Sequence, residues 1–363
     1  MVVASVLGRI LIMAGGTGGH VYPALAIAQD LIGRGYEVQW LGTDAGLESR
    51  VVPEAGITLN IIRASGFRGK GFFAKLLALF SLVFATGQSF FVLMKFRPGC
   101  VIGMGGYVAA PGGIASWLTR RTLLIHEQNA VAGTTNRILA KFAKRVLVAY
   151  PSAFPRSVNV DQIGNPVRKE ILEAAIDSSD LLHQGSLNVL ILGGSLGAKA
   201  INGVMPELAD NLEDKNIKFW HQTGPLHYAE VEKDYAGRGL DNVRLAAFIE
   251  DIAAAYRWAD LVICRAGALT VSELTVMSKP AVLIPLPEAI DDHQTHNAQW
   301  MEGAGAAVLV TQVDFSVSRM TKLLSDYSTH PELLKSMARK SGQIGCADAT
   351  QLAVAICEEV YCE

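Results

Sequence analysis

Residues 9–31 read RILIMAGGTGGHVYPALAIAQDL, and residues 188–212 read NVLILGGSLGAKAINGVMPELADNL. Both stretches begin with a short apolar run, continue through closely spaced glycines and end in a helical pattern. A third glycine turn, VIGMGGYVAAPGG, spans residues 101–113. Successive glycines let the backbone approach a ligand, and the helix that follows presents free N–H groups and its positive dipole end to an anion. The repeated pattern predicts two facing Rossmann-like domains with a ligand cleft between them.

The composition limits the classes of protein to which the chain can belong. It has 363 residues, of which 50% are hydrophobic, enough to form two cores. The formal net charge is -2, which does not indicate a nucleic-acid partner. The cysteines are scattered, odd in number and without a CxxC pair; they are Cys100, Cys264, Cys346, Cys357 and Cys362. This pattern is typical of reduced thiols, so we expect a cytosolic compartment.

Short apolar runs alternate with longer helical patterns along the whole chain. This alternation predicts an α/β fold of doubly wound parallel sheets. The expected strands are residues 9–14, 37–41, 59–62, 100–103, 122–125, 145–148, 188–192, 217–222, 261–264, 281–285 and 307–310, and helices are expected at 19–34 and 197–212. We place one domain at residues 1–163, completed by a C-terminal helix at 341–363, and a second domain at residues 164–340.

Residues 76–94 form an uncharged apolar segment that is long enough to cross a bilayer. Ser81, Gln88 and Lys95 recur every seven residues and draw a polar stripe along the predicted helix. The segment also connects two runs that we expect to be neighbouring strands of one sheet. Such a connection packs back onto the sheet, so we predict a sheet-covering helix and not a membrane span.

The glycine turns do not fit the commonest nucleotide-binding motifs. A GxGxxG fingerprint would require glycine at Val21 or at Val108, and the sequence contains no GxxxxGK[ST] phosphate loop. A single glycine pair can simply shape a tight turn, but three turns at corresponding strand ends favour ligand binding. The sequence therefore disfavours nicotinamide cofactors and ATP.

Longer strings in the sequence carry a resemblance to a known family. They are GGTGGHVYPALA (15–26), SGFRGKG (65–71), GMGGYVAAPGG (103–113), HEQNAVAG (126–133), GNPVR (164–168), GGSLGA (193–198), FIEDIAAAY (248–256), CRAGALTVSE (264–273) and DDHQTHNA (291–298). Together they span nearly the whole chain. The chain resembles the bacterial family of N-acetylglucosaminyltransferases that convert lipid I into lipid II.

The resemblance implies a fold, a reaction and a location. The fold is GT-B, and the reaction transfers GlcNAc with inversion from UDP-GlcNAc to the C4 hydroxyl of MurNAc in undecaprenyl-diphosphate-MurNAc-pentapeptide. Neither a metal nor another cofactor is expected. The role is peptidoglycan synthesis and cell wall biogenesis, with links to cell shape, cell division and the cell cycle. The implied location is peripheral, on the cytoplasmic face of the inner membrane, alongside other cell-wall synthesis proteins.

Donor contacts are expected mainly in the second domain. Ser195 opens a helix where its hydroxyl can meet a diphosphate, and Arg168 can add a charged donor. The resemblance assigns the other donor-binding positions: Thr17, Gly18, Gly19, Asn129, Ile249, Ala268, Leu269, Thr270, Val271, Ser272, Glu273 and Gln294. Among them Glu273 is expected on the ribose hydroxyls and Gln294 on the GlcNAc hydroxyls, with Asn297 a weaker candidate. Family members often have Gln where Leu196 stands, so no contact is transferred to that position.

Acceptor chemistry is expected in the first domain. His20 ends the first glycine turn, and its imidazole can take a proton near neutral pH. By resemblance it is the candidate general base, with Glu127 orienting or assisting it. The acceptor-binding candidates are Gly15, Gly16, Gly105, Gly106 and Tyr107.

A membrane surface is the last predicted partner. Residues 68–97 combine bulky apolar side chains with flanking Lys and Arg, which indicates reversible contact with an anionic inner-membrane surface. Two other functions stay open: another UDP-sugar enzyme, such as a UDP-GlcNAc 2-epimerase or a soluble-acceptor transferase, and a non-catalytic nucleotide-sugar binder. An epimerase needs no membrane surface, and a binder does not need His20 and Asn129 together.

Overall fold

The structure is a computed structural model that describes residues 6–64, 72–176, 185–194, 197–212 and 216–362, with the side chains of 72–77 and 290 left out. The chain divides into two compact units. One comprises Met1–Arg168 and Ala347–Glu363, and the other comprises Lys169–Cys346. The sequence-based boundaries lay nearby, at 163/164 and 340/341. Each unit is built on one parallel sheet, which confirms the predicted α/β fold class.

The first unit has a seven-stranded sheet in the order β3-β2-β1-β4-β5-β6-β7. Its strands are β1 (Arg9–Met13), β2 (Glu37–Gly42), β3 (Thr58–Ile61), β4 (Cys100–Gly103), β5 (Thr122–Glu127), β6 (Arg145–Val148) and β7 (Asp161–Gln162). Its helices are α1 (Gly18–Gly33), α2 (Glu48–Glu54), α3 (Phe72–Phe96), α4 (Gly106–Leu118) and α5 (Thr134–Leu139), and the C-terminal α14 (Ala349–Cys362) returns to this unit.

The central strand β1 is buried on both faces, because successive side chains of a strand point to opposite sides of the sheet. Ile10 and Ile12 pack in one cluster with residues of α1 and α14. Leu11 and Met13 pack in another cluster with residues of α3 and α4. This double burial explains why the strand reads as a continuous apolar run.

The second unit has a six-stranded sheet in the order β10-β9-β8-β11-β12-β13. Its strands are β8 (Leu187–Leu192), β9 (Ile217–Gln222), β10 (Val243–Ala246), β11 (Leu261–Cys264), β12 (Ala281–Leu283) and β13 (Ala307–Leu309). Its helices are α6 (Lys169–Ile176), α7 (Lys199–Asn211), α8 (Tyr228–Ala236), α9 (Ile252–Trp258), α10 (Ala268–Val276), α11 (His293–Gly303), α12 (Val317–Thr329) and α13 (Pro331–Ile344), and a short 3-10 turn covers Ile290–Asp292.

Helix α3 packs on the first sheet, as the sequence predicted, but the expectation about its flanking strands is wrong. Its residues Ala85 and Leu93 lie in the same buried cluster as Val101 of β4. Strands β3 and β4 belong to one sheet but are not neighbours, since β2 and β1 lie between them. The chain crosses over the central strands at this point because the sheet grows outward from β1 in both directions.

The solvent-facing side of α3 is also more apolar than the predicted polar stripe suggested. Gln88 turns toward the end of β3, where its side-chain oxygen accepts a hydrogen bond from the Arg63 backbone N–H at 2.8 Å. Phe80, Val83 and Phe91 are 62–74% exposed. By length and composition Ala78–Phe96 would suffice to cross a membrane, and 22% of this stretch is buried in the protein.

Candidate active site

In the first unit the chain reverses its direction of sheet growth between β1 and β4, which lie side by side. In open α/β sheets, ligands bind outside the carboxyl ends of the strands at such a switch point. Two of the three predicted glycine turns follow these two strands. The backbone N–H of Met104 donates to the carbonyl of Met13 at 2.9 Å, which holds the start of one turn against the other.

The two turns contact each other through backbone atoms. A Cβ added to Gly106 would lie 2.7 Å from the carbonyl oxygen of Gly15. Gly105 and Gly106 also have positive φ angles of 86° and 77°, which non-glycine residues rarely adopt. Tyr107 is 49% exposed, and its ring lies 3.8 Å from where a Cβ on Gly16 would be. The five predicted acceptor residues are therefore brought together at this edge of the sheet.

Glu48 holds the first turn in place, and the sequence analysis did not identify it. The residue is fully buried. One carboxylate oxygen accepts from the Gly16 N–H at 2.9 Å. The other accepts from the Thr43 N–H at 3.0 Å and the Thr43 hydroxyl at 2.7 Å. No local signal marks this role, because a Glu in the first turn of a helix is normally explained by the helix dipole.

His20 lies in the first turn of α1, with its ring against the second glycine turn. A Cβ on Gly105 would lie 3.2 Å from Cε1 of His20. Nδ1 of His20 lies 2.8 Å from Oε1 of Gln128. Nε2 of Gln128 lies 3.0 Å from Nδ1 of His126, and Nε2 of His126 lies 2.9 Å from the carbonyl oxygen of Gly164. A continuous hydrogen-bonded chain therefore joins His20 to the interior of the unit.

His126 is completely buried, and its surroundings decide its charge. Burial lowers the pKa of His126 to about 4, against the weaker opposing effect of its hydrogen bond to Gly164. The ring is therefore neutral at physiological pH. Sequence analysis placed His126 in a family string but gave it no role, because its partner Gly164 is 38 residues away in the chain.

Glu127 was expected to orient or assist the base, and the structure uses its carboxylate differently. It is buried at the end of β5. Its oxygens accept from the Asn129 N–H at 3.0 Å, the Gly133 N–H at 3.1 Å and the Asn136 side chain at 2.9 Å. It also contacts the half-buried Asn129 amide at 3.2 Å. Among the described hydrogen bonds none joins Glu127 to His20, and the residue that contacts His20 is Gln128.

The remaining donor candidates of the first unit lie around α1. Thr17 is the N-cap of α1 and makes no side-chain cap hydrogen bond, so Gly18 and Gly19 begin the helix at its open end. The guanidinium carbon of Arg168 lies 5.2 Å from the ring centroid of Tyr22. This cation–π contact holds Arg168 beside α1 at the boundary of the unit.

The second unit repeats the arrangement at its own switch point, between β8 and β11. Gly194 and Gly197 have φ angles of 78° and 81° in the turn after β8. Ser195 and Leu196, between them, lie outside the described residues. The side-chain N–H₂ of Gln222 donates to the carbonyls of Gly194 and Ala247 at 3.0 and 3.2 Å, which ties this turn to the loop after β10. Ile249 follows in that loop and is buried.

Helix α10 starts directly after β11 and carries the predicted run from Ala268 to Glu273. Gly267 is its N-cap, without a side-chain cap hydrogen bond. Glu273 is 3% exposed, and one carboxylate oxygen accepts from the Tyr256 hydroxyl at 3.1 Å. Glu273 is therefore not a solvated surface carboxylate. Tyr256 is a second residue that sequence analysis missed, although it closes the family string 248–256.

The run 291–298 precedes and begins α11. Asp291 and Asp292 have φ angles of 54° and 51°, a left-handed conformation that costs energy for residues other than glycine and often marks functional loops. Oε1 of Gln294 accepts from the Leu286 N–H at 3.0 Å, which leaves its N–H₂ group for other partners. Asn297 is fully buried and donates to the Ala266 carbonyl at 3.1 Å, so it joins α11 to the loop before α10.

Metal ligands and helix N-termini bear on what the two sites can bind. The described residues contain no group of three or more His, Cys, Asp or Glu side chains arranged to hold a metal ion. The helices α1, α4 and α10 begin without side-chain cap hydrogen bonds, as do several helices elsewhere, among them α2, α8 and α13. The uncapped N–H groups at the switch points are suited to anionic ligands.

Comparison with known proteins also finds two successive domains in the chain. Residues 10–148 match the N-terminal domain model of glycosyltransferase family 28, and residues 188–353 match its C-terminal domain model. Relatives named UDP-N-acetylglucosamine--N-acetylmuramyl-(pentapeptide) pyrophosphoryl-undecaprenol N-acetylglucosamine transferase occur in Pseudomonas aeruginosa and Colwellia psychrerythraea. The first is 48% identical and covers 97% of this chain and 99% of its own. The second is 43% identical, with coverages of 97% and 92%.

Solved structures agree with these matches. The crystal structure of Acinetobacter baumannii MurG has a TM-score of 0.81 and 38% identity, and it covers 97% of this chain and 99% of its own. A UDP-GlcNAc 2-epimerase from Neisseria meningitidis has a TM-score of 0.68 at 14% identity, so it shares the fold alone. The predicted GT-B fold class is confirmed by the likeness to the first of these structures together with the two domain matches.

Proposed function

The chain belongs to glycosyltransferase family 28, and we propose that it transfers N-acetylglucosamine from UDP-GlcNAc to the C4 hydroxyl of the MurNAc sugar in a lipid-linked, pentapeptide-bearing diphosphate. The observation that carries this proposal is its 43–48% identity, over nearly the full length, to relatives named for that transfer. The product is a lipid-linked disaccharide precursor of peptidoglycan.

The first unit supplies the acceptor site. The glycine turns after β1 and β4 leave room for a diphosphate at the open N-termini of α1 and α4. The backbone contact between Gly106 and Gly15 keeps side chains out of this space. His20 lies at the same edge and is the general base. The acceptor hydroxyl then needs to lie within hydrogen-bond distance of Nε2 of His20.

The second unit supplies the donor site. The buried carboxylate of Glu273 binds the ribose hydroxyls, because a carboxylate accepts two hydrogen bonds from a diol. Ser195 binds the diphosphate, Ile249 lies against the uracil, and Gln294 binds the GlcNAc hydroxyls. Arg168, the last residue of the first unit before α6, is a further candidate for the diphosphate. The uncapped N-terminus of α10 adds N–H donors for the developing negative charge.

The transfer is a single displacement. The acceptor oxygen forms a bond to the anomeric carbon of GlcNAc as the bond from that carbon to the UDP oxygen breaks. The hydroxyl proton passes to Nε2 of His20, and UDP leaves with the bonding electron pair. Configuration inverts at the anomeric carbon, and positioned donors stabilise the leaving diphosphate.

The test is a transfer assay with UDP-GlcNAc and a lipid I analogue, with product analysis by mass spectrometry. We expect a GlcNAc-containing lipid product with β configuration. Release of UDP without that product would contradict the proposal. Conversion of UDP-GlcNAc into its 2-epimer in the absence of acceptor would favour the epimerase alternative.

Access to a lipid-linked acceptor requires contact with a membrane, and the first unit exposes an apolar surface suited to it. We call this surface the apolar patch; its described members are Leu79, Phe80, Val83, Phe84, Phe91, Trp117, Leu118, Ile138 and Phe142. The Trp117 and Phe142 rings lie 5.6 Å apart. Helix α4, which carries Trp117, packs against α3, so we include both residues with the predicted surface 68–97. Arg68 and Lys70 of the predicted surface lie outside the described residues.

Basic side chains accompany the apolar patch. Lys95, Arg97, Arg120 and Lys141 are exposed on the same helices or directly after them. Each contributes up to about 1 kcal/mol near an anionic surface. The enzyme is thus a peripheral protein of the cytoplasmic membrane face that binds reversibly and sensitively to salt.

Vesicle flotation tests the apolar patch separately from catalysis. We expect a Phe80→Ser/Phe91→Ser variant to float several-fold less with anionic vesicles than the unmodified protein does. Ile176→Ser/Val313→Ser is a matched control, because these side chains are 85% and 90% exposed in the second unit. Equal flotation of both folded variants would rule the patch out.

A further inference from the structure

The hydrogen-bonded chain behind His20 has a direction that can be worked out from its ends. The carbonyl of Gly164 can only accept, so the Nε2 atom of His126, 2.9 Å away, carries a proton and donates. A neutral imidazole has one N–H, and burial keeps His126 neutral by lowering its pKa to about 4. Nδ1 of His126 is therefore an acceptor.

The orientation of the Gln128 amide follows from this acceptor. Its N–H₂ group faces Nδ1 of His126 at 3.0 Å and the His126 carbonyl at 3.3 Å, both of which accept. Its oxygen is therefore turned toward His20. Because an amide oxygen can only accept, Nδ1 of His20, 2.8 Å away, donates to it.

The opposite direction is unfavourable at two contacts. A flipped Gln128 would place its oxygen against the His126 carbonyl, two acceptors 3.3 Å apart in the present arrangement. It would also require a proton on Nδ1 of His126, which would leave the unprotonated Nε2 facing the Gly164 carbonyl. Gln128 is 1% exposed and His126 is fully buried, so water does not compensate for either contact.

We infer that Gln128 is a positioning residue that, together with His126, holds His20 in the tautomer protonated on Nδ1 and unprotonated on Nε2. This inference rests on the proposed function, in which His20 takes the acceptor proton. Only Nε2 is left to act as base, because Nδ1 is occupied by Gln128. A Cβ on Gly105 would lie 3.2 Å from Cε1 of His20, so the glycine leaves room for the ring in this position. The hydrogen bonds through Gln128 and His126 thus orient the His20 ring. The candidate Glu127 does not, because its oxygens accept from Asn129, Gly133 and Asn136.

The direct test is a ring-nitrogen NMR spectrum of the full-length protein labelled with ¹⁵N-histidine, with His20 assigned by substitution. We expect the unmodified enzyme to show a pyridine-type Nε2 and a protonated Nδ1 at His20. In a Gln128→Met variant, which keeps the length of the side chain and removes its hydrogen bonds, we expect a mixture of the two tautomers.

Kinetic measurements distinguish a residue that positions His20 from a residue that only stabilises the fold. We expect Gln128→Met to lower kcat by about 10–100-fold with an unchanged KM for UDP-GlcNAc, since a wrong tautomer cannot take the proton. In a His20→Ala background the same substitution should lower kcat no further, because the group that it positions is gone. Equal losses in the two backgrounds would overturn the inference, as would a normal kcat in a variant with mixed tautomers.

The spectrum and the kinetics also distinguish this inference from the proposed function. If His20→Ala turned over normally, the assignment of the base would fail, while the spectrum would still report whether Gln128 sets the tautomer. If Gln128→Met did not fold, the spectrum of the unmodified enzyme would still show which ring nitrogen of His20 carries the proton. A proton on Nε2 of His20 overturns the inference whatever the variants do.

Discussion

Replacing Glu48 by glutamine tests whether a buried carboxylate builds the acceptor side of the site. Its two oxygens together accept three hydrogen bonds, from the Gly16 N–H, the Thr43 N–H and the Thr43 hydroxyl. A glutamine amide has one oxygen and one N–H₂ group. Whichever way it turns, the N–H₂ group faces a backbone N–H, either that of Gly16 or that of Thr43.

The expected decrease in the free energy of unfolding has two causes, a lost hydrogen bond to the carboxylate and a buried N–H left without an acceptor. A hydrogen bond to a charged group contributes about 1.5–3 kcal/mol, and a buried donor left without an acceptor costs about 1–3 kcal/mol. We therefore expect the free energy of unfolding to fall by about 3 kcal/mol. For a unit of this size that corresponds to a Tm lower by roughly 6–12 °C.

Glu37→Gln is the matched control. Glu37 pairs with Arg9 at 2.9 Å, but the two side chains are 40% and 50% exposed. A surface ion pair of this kind contributes about 0–1 kcal/mol. Thermal unfolding followed by circular dichroism measures both variants, and acceptor and donor KM values are measured alongside.

We expect Glu48→Gln to raise the KM for the lipid acceptor and to change UDP affinity less, because most of the predicted donor contacts lie in the second unit. A Glu48→Gln enzyme no less stable than Glu37→Gln, with an unaltered acceptor KM, would refute the reasoning.

Three further predictions concern the base, the donor site and acid stability. His20→Ala should lower kcat by about 10²–10⁴ with nearly intact UDP binding by calorimetry; lost UDP affinity with normal turnover would instead make His20 a binding residue. Glu273→Ala should raise the donor KM by about tenfold or more, because it removes a charge-assisted hydrogen bond of about 1.5–3 kcal/mol. Tyr256→Phe should raise the donor KM less. Unchanged donor kinetics in Glu273→Ala would count against the ribose contact. Burial lowers the pKa of His126 to about 4 and that of His221 to about 3, from 6.5. As the pH falls, the unfolded chain therefore binds these protons at a higher pH than the folded protein does. The free energy of unfolding should have its full value above pH 6.5 and should decrease as the pH drops toward 4. Each histidine contributes a loss of about 2 kcal/mol at pH 5. Urea denaturation at pH 7 and pH 5 measures this loss, and equal stability at the two values would contradict it.

Much of the fold could be predicted because its signals are local. Strands buried on both faces read as continuous apolar runs, and β4, β6, β9 and β11 begin and end at the predicted residues. The strands that sequence analysis missed, β7 and β10, lie at sheet edges. Their residues are half-buried or exposed, so they lack the apolar run that marked the central strands.

By itself the sequence determined the two-fold repeat of strand, glycine turn and helix, and the family strings that identified the reaction. It also indicated that His20 and Glu273 lie on helices that follow a strand and a glycine-containing turn, as they do in α1 and α10. Only the tertiary structure decided which side chains contact His20, Glu273 and the first glycine turn. Glu48, Gln128 and Tyr256 reach their partners across 17–108 residues of chain. The order of strands in the sheets brings these pairs together, and that order is a property of long-range packing that no local pattern encodes.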